Sequence, residues 1–437
     1  MLAQVYSCTV VGIDGIPLEV EVDIANGLPT FDIIGLPDPS VKEARERVKA
    51  AVRNSGFEFP YCRVTVNLAP AELKKEGSSF DLAIAAAVLA AGNQIPGSRL
   101  LKKAVLVGEL SLEGTVRSIS GALAIASSIS RHPRLKDYIL FLPAVNSAEA
   151  ALIEQVDVRG VTTLRQLADH FCELQTLPRA VPQLQQLLQE SCSDVDFNEI
   201  KGQETAKRAL EIAAGGAHNL LLYGPPGSGK TMLARRLPSI LPAPDLSEIL
   251  EITRIHSVAG KLPPGKPLIT QRPFRSPHHS ASTAGIIGGG KVPRPGEVSL
   301  AHRGVLFFDE LPEYNREVLE SLRQPLEDKN VTVTRVSATL TYPADFIFVS
   351  SMNPCQCGNH LDPRRECHCS PTQVQRYRSR LSGPLLDRID LQIEVPRISI
   401  EQLEQKQSGE SSSVIRKRVE KARDNRIRSP HQIQIAK

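Results

Sequence analysis

The sequence predicts an α/β protein of more than one domain, and three observations lead there. Its 437 residues exceed what one hydrophobic core ordinarily supports. Residues 197–398 repeat the order apolar run, Gly-rich turn, helix, which is the grammar of a mostly parallel sheet. Within that stretch, Gly224 to Thr231 stand between an apolar run and a helix-like segment, the place of a phosphate-binding turn.

Composition sets outer bounds. Hydrophobic content of 41% and charged content of 23% belong to a folded globular chain and exclude wholesale disorder. A net charge of +4 over this length is too mild to name a partner, so only local clusters can. Aromatics are 4% and Trp is absent, which argues against rows of stacking platforms for single strands. The start, MLAQVYSCTVVGIDG, lacks a basic region followed by an apolar core, so no secretory signal is expected. The longest apolar run, Leu82 to Ala91, is half of the about twenty residues a bilayer span needs, so no membrane partner is expected. Cys8, Cys62, Cys172 and Cys192 are scattered, and four more cysteines crowd into 355–369. Without an export signal, that pattern points to reduced thiols and a metal, not disulfides.

Along the chain, residues 1–172 alternate β-like runs (Leu18–Ile24, Arg63–Leu68, Ala104–Val107, Ile139–Leu142) with helical stretches, giving a mixed α/β domain. Residues 173–196 turn to Gln, Leu, Pro and Ser and are expected to be a linker carrying one short helix. The parallel-sheet core spans 197–398, and a second polar joint spans 399–413. In the last segment, 414–437, a basic helix is expected over Val414–Arg428, with seven Lys or Arg against two acids, 7 − 2 = +5.

Gly224, Pro225, Pro226, Gly227, Ser228, Gly229, Lys230 and Thr231 carry the strongest signal. Glycines let backbone N–H groups wrap phosphates, and the following helix offers its positive end. Lys230 is expected to reach the β and γ phosphates of ATP and Thr231 to ligate Mg²⁺. A chance Gly-rich turn is the plain alternative, which the full pattern in strand-to-helix context disfavours. Val305–Phe308 then runs into Asp309 and Glu310, a buried strand presenting acids at the ligand edge of a sheet. Asp309 is the candidate Mg²⁺ ligand and Glu310 the group that polarises the attacking water. Asn353, after the apolar run Phe346–Val349, is expected between the γ-phosphate and Glu310. Arg388, just beyond a helix in LSGPLLDRIDL, is expected to serve a neighbouring subunit's ATP, the alternative being a surface salt bridge.

Cys355, Cys357, Cys367 and Cys369 form C-x-C-x9-C-x-C, two thiol pairs suited to tetrahedral zinc. The pairs are tighter than the commoner C-x2-C, and free thiols or an adventitious disulfide are the alternatives. His360 and His368 are spare candidate ligands. VTVTRVSATLTYPADF reads as a hairpin bearing Arg335, and GGGKVPRPG sets Lys291 and Arg294 among glycines and prolines. These cations are candidates for DNA phosphates, contacted without reading sequence, against the alternative of solvated turns. His278 and His279 precede that loop and receive no role.

The stretches PFRSPHHSASTAGIIGGGKVPRPGEVSLAHRGVLFFDELPEY, SMNPCQCG and RYRSRLSGPLLDRIDL resemble the magnesium-chelatase-like AAA+ proteins of the ComM/YifB family, and the similarity covers almost the whole chain. The resemblance implies an N-terminal Lon-protease-like α+β domain, a P-loop AAA+ core of chelatase type and the start of a helical lid. It further implies a cytoplasmic, hexameric ring that hydrolyses ATP to drive DNA branch migration in natural transformation or recombination. A chelatase motor subunit and an ATP-dependent Lon-like protease are the alternatives. KKEGSSFDLAIAAAVLAA is similar to the Lon segment bearing its serine, which puts Ser79 at the nucleophile position. The matching place for the activating lysine holds Leu123, so a scaffold role is expected. Family members continue past the position of Lys437 into lid helices with a second sensor arginine, a departure that bears on nucleotide affinity and ring stability.

Overall fold

The structure is a computed structural model that describes residues 1–72, 75, 77–97, 99–182, 184–189, 195–263, 265–290, 293–335, 338–360, 365–398 and 409–428. It divides into two units, Met1–Gln189 with His256–Leu268, and Glu190–Ile255 with Ile269–Lys437.

In the first unit, alternating apolar residues give two long strands, β1 (Leu2–Val11) and β2 (Asp14–Ala25), paired antiparallel from Leu2↔Asp23 to Val11↔Asp14. With β3 (Thr30–Ile34), β4 (Arg63–Ala69), β5 (Ala104–Leu106), β6 (Ile139–Pro143) and β7 (Asp157–Val161) they form one mixed sheet, ordered β3-β4-β2-β1-β5-β6-β7. The apolar run noted above is the helix Asp81–Ala91, buried along its whole length. A helix hydrophobic all round belongs in an interior. Its first residue, Asp81, is fully buried and takes a bidentate fork from Arg47 at 2.8 and 3.2 Å. Burial pushes the Asp81 carboxyl up to about 6 while Arg47 pulls it the other way. Breaking one partner of such a pair typically costs about 3–5 kcal/mol.

The chain from 173 onward corrects the expected linker. Leu177 is buried in the core of the first unit and the Ala180 N–H donates to Val158 O at 2.8 Å, so this stretch begins as part of that unit. The short helix expected there is Leu184–Gln189.

In the second unit, β8 (Leu220–Tyr223), β9 (Phe274–Arg275), β10 (Val305–Phe308), β13 (Ile347–Met352) and β14 (Leu391–Glu394) form an all-parallel sheet ordered β9-β10-β13-β8-β14. A separate hairpin joins β11 (Asn330–Arg335) to β12 (Ala338–Pro343), as its sequence predicts. Consecutive strands β13 and β14 lie on opposite sides of β8, so the strand order reverses there. Ligands of open parallel sheets bind at the carboxyl edge beside such a reversal.

The basic helix is Ser412–Arg428, packed on the helices Glu204–Gly216 and Lys230–Ile240 with Ile415 and Val419 in the core. Of the joint expected at 399–413, residues 399–408 lie outside the described residues; at its end Ser412 is buried, donates its N–H to Asp196 and accepts from the Phe197 N–H. Part of the basic charge is engaged in the fold, since Arg416 binds Ser239 O, Arg423 binds Ala214 O, and Arg418 pairs with Glu211 and Glu410. No helix among the described residues is long and apolar enough to cross a membrane.

Candidate active site

The carboxyl ends of three adjacent strands deliver the motif residues to one edge. β8 ends at Tyr223 before Gly224, β10 at Phe308 before Asp309, and β13 at Met352 before Asn353. Gly229, with φ +90°, occupies the left-handed region that lets the loop turn into the helix Lys230–Ile240. The loop thereby lies on the positive end of that helix, where anions bind.

Lys230 folds back over the loop. Its Nζ donates to Gly224 O at 2.8 Å, to Pro225 O at 2.9 Å and to Asn353 Oδ1 at 3.3 Å, so the candidate asparagine and the loop lysine are brought together. Thr231 Oγ1 donates to Asp309 Oδ2 at 2.8 Å, uniting the two candidate Mg²⁺ ligands. The other Asp309 oxygen accepts from the Ser351 hydroxyl, and that hydroxyl accepts from the Glu310 N–H at 3.1 Å. Glu310 is exposed and takes a left-handed φ of 53°, uncommon for a non-glycine and found where a site over-determines the backbone.

Burial pulls the Lys230 ammonium down to about 8, against the opposing pull of Asp309 and Glu310. With a folded value near 8, about nine-tenths of the ammonium is present at pH 7 and about one-tenth at pH 9. Affinity for a fluorescent ATP analogue is therefore expected to be roughly tenfold weaker at about pH 9 than at pH 7, with proton uptake on binding. Lys230→Arg should flatten this dependence. Equal affinities of the unsubstituted chain at the two values would remove the ammonium as the group that titrates.

Three participants escaped the sequence reading. Gln203, in a left-handed turn, donates to Ser228 O at 3.3 Å and Pro396 O at 2.6 Å, clamping the loop from a segment with no motif. Arg397 Nη2 reaches Pro226 O at 3.2 Å. Ser351 had a signal: two serines, Ser350 and Ser351, lie fully buried in a strand that is otherwise apolar.

Other candidates fall elsewhere. Arg388 sits before β14, at the amino-terminal edge of the sheet, and pairs with Glu327. The exposed His278 lies tilted against His279, 4.0 Å between ring centroids, and His279 meets Tyr314 edge-on; Tyr314 in turn stacks on Phe308 of β10. Arg294 is exposed in a two-residue strand, and the Tyr342 hydroxyl of β12 donates to Pro293 O at 2.9 Å, so loop and hairpin adjoin. Arg335 pairs with Ala338 at the hairpin end, while Lys291 lies outside the described residues.

The sulfurs of Cys355, Cys357, Cys367 and Cys369 all lie within 4.8 Å of one another. A donor set of four thiols is suited to a soft tetrahedral metal. The backbone N–H of Asn359 and the Cys355 thiol bring the Cys357 thiol down to about 6. His360 and His368, the spare candidates, are not in this cluster. In the first unit, Leu123 is buried in the helix Ala122–Arg131 and donates its N–H to buried Glu149 at 2.8 Å. An aliphatic side chain cannot take a proton from Ser79.

The sheet order, the glycine loop and the paired acids define a P-loop AAA+ module. The family model for magnesium chelatase, subunit ChlI, matches residues 196–403, and that for subunit ChlI of Mg-chelatase matches 20–146. The chain is 44% identical over 428 residues to protein YifB of Salmonella typhimurium, covering 98% of this chain and 82% of that one. It is 42% identical over 431 residues to competence protein ComM of Haemophilus influenzae, covering 97% and 82%. It is also 30% identical over 158 residues to Lon protease 2 of Bacillus subtilis, 34% of this chain and 28% of that one. The chain belongs to the ComM/YifB family of magnesium-chelatase-like AAA+ ATPases.

Proposed function

We propose that this protein is a cytoplasmic AAA+ motor that hydrolyses Mg²⁺-ATP to move DNA, as a ring of identical subunits, hexameric by family resemblance. The observation that carries the ATPase reading is the convergence of Lys230, Thr231, Asp309 and Asn353 through hydrogen bonds at one sheet edge. In this reading the loop from Gly224 to Thr231 cradles the phosphates, Lys230 meets the β and γ groups, and Thr231 and Asp309 hold Mg²⁺. Glu310 activates water, Asn353 positions it, and Arg388 acts on a neighbour's nucleotide. The four cysteines hold one structural zinc.

DNA as the substrate rests on likeness to a competence protein and on cations at Arg294 and Arg335 on adjoining inserts. Such contacts grip phosphates and leave sequence unread. Branch migration in transformation or recombination is the specific work proposed. The protease alternative has Leu123 against it, and the Lon-like unit with the thiol pairs favours a DNA motor over a chelatase subunit.

The test is the ATP hydrolysis rate alone and with single-stranded, duplex or branched DNA at moderate salt. Stimulation of at least several-fold, greatest with branched DNA and lost at high salt, is expected. A rate that none of the three DNAs changes would leave an ATPase and remove DNA as its substrate.

A further inference from the structure

The cysteine cluster is tied to the nucleotide site from both of its halves. The first half leaves β13 directly: Asn353 reaches Lys230 Nζ at 3.3 Å, and Cys355, fully buried, follows two residues later. Gly358 donates its N–H to Cys355 O at 3.0 Å, closing a tight turn around the first thiol pair. That turn rests on the phosphate loop. Gly358 has φ +82°, and a Cβ there would stand 2.7 Å from Pro226 Cδ. Only glycine gives both the backbone conformation and the close approach.

The second half is tied through a helix. Cys369 is followed by Ser370, whose capping box with Gln373 starts the helix Pro371–Arg378. Arg378 of this helix donates at 3.4 Å to the carbonyl O of Pro354, the residue after Asn353, and the buried Tyr377 hydroxyl faces the Asn353 backbone. Both thiol pairs therefore bear on Asn353 and Pro354, the first through the adjoining chain and the second through the helix.

The sulfur positions fit one ion. Four thiolates about 2.3 Å from a central zinc form a tetrahedron with edges of about 3.8 Å. The sulfurs stand 3.3 Å apart for Cys355 and Cys357, and 3.7 Å for Cys367 with each of them. An ion at their centre would lock the turn on Pro226 and the start of the helix under Asn353 into one body.

We propose that zinc in the four-cysteine site couples to catalysis: its occupancy sets the position of Asn353 and the seating of the phosphate loop, so ATP turnover depends on the metal. This rests on the zinc reading above and goes beyond a purely structural ion. Misplacement of a positioning group by about 1 Å can cost up to 10²-fold in rate.

The test uses the full chain, with zinc measured by elemental analysis, fold by circular dichroism, and both ATP turnover and affinity for a fluorescent ATP analogue. Chelation under reducing conditions is expected to leave secondary structure in place and lower turnover roughly tenfold or more, with recovery on adding zinc back. Gly358→Ala separates coupling from metal binding, because it keeps all four thiols. It should retain one zinc per chain and a folded spectrum yet lose turnover several-fold. Zinc that is bound, removed and restored without change in turnover or affinity overturns the coupling and leaves the zinc reading standing. If stripping unfolds the chain, a zinc-loaded Gly358→Ala with unchanged turnover overturns it equally. Four titratable thiols and no bound zinc under any condition would overturn both.

Discussion

Glu310→Gln is expected to bind Mg²⁺-ATP as the unsubstituted chain does and to hydrolyse it about 10²–10⁴-fold more slowly. The two acids after β10 are placed for different work. Asp309 is engaged by the Thr231 and Ser351 hydroxyls, the arrangement of a metal ligand held in orientation, whereas Glu310 is exposed with its backbone held by Ser351. Glutamine keeps the size and loses the proton-accepting charge, so binding survives while water activation fails. Lys230→Ala should do the reverse and weaken binding first. Nucleotide titration and single-turnover hydrolysis separate the two. Unchanged turnover in Glu310→Gln would strike it from the catalytic residues.

Arg388→Ala is expected to lower hydrolysis by about 10³–10⁵-fold while sparing the subunit's own ATP affinity. The register Leu220↔Leu391 puts Arg388 beside the start of β8, and the phosphate loop leaves the other end. Four strand residues span about 13 Å, so this arginine lies at the far end of β8 from its own phosphate loop. Mixing Arg388→Ala with Lys230→Ala supplies the check, because each inactive parent retains the half-site the other lacks. Activity should return in the mixture while both unmixed parents stay near background. Co-assembled subunits without restored activity, or normal hydrolysis by Arg388→Ala alone, would refute action in trans. Oligomer size with bound nucleotide is measured alongside.

What was legible in the sequence is what the chain encodes locally. The phosphate loop, the β10 acids, Asn353, the hairpin at 330–343 and the paired cysteines are patterns of a few adjacent residues, and the structure brings most of them to one edge. Gln203 and Arg397 were invisible because their role is a hydrogen bond to a backbone carbonyl distant in sequence, which no spacing announces. The return of His256–Leu268 to the first unit was equally hidden, since its signal is a set of long-range contacts. Ser351 was readable in principle, because a buried strand tolerates a hydroxyl only where it finds partners. The linker at 173 was misjudged on composition: one leucine, Leu177, found a core to enter.

A parallel sheet has a direction, and here both half-sites inherit it. The loop that receives a phosphate lies at one edge, and the arginine proposed for a neighbour lies at the other. On that reading each contact that sets one copy's loop against another's arginine fills one half-site. If copies add head to tail, the series ends without an unfilled half by closing into a ring. The direction of one small sheet thus bears, on the same reading, on how copies can share a nucleotide before any contact between subunits is specified.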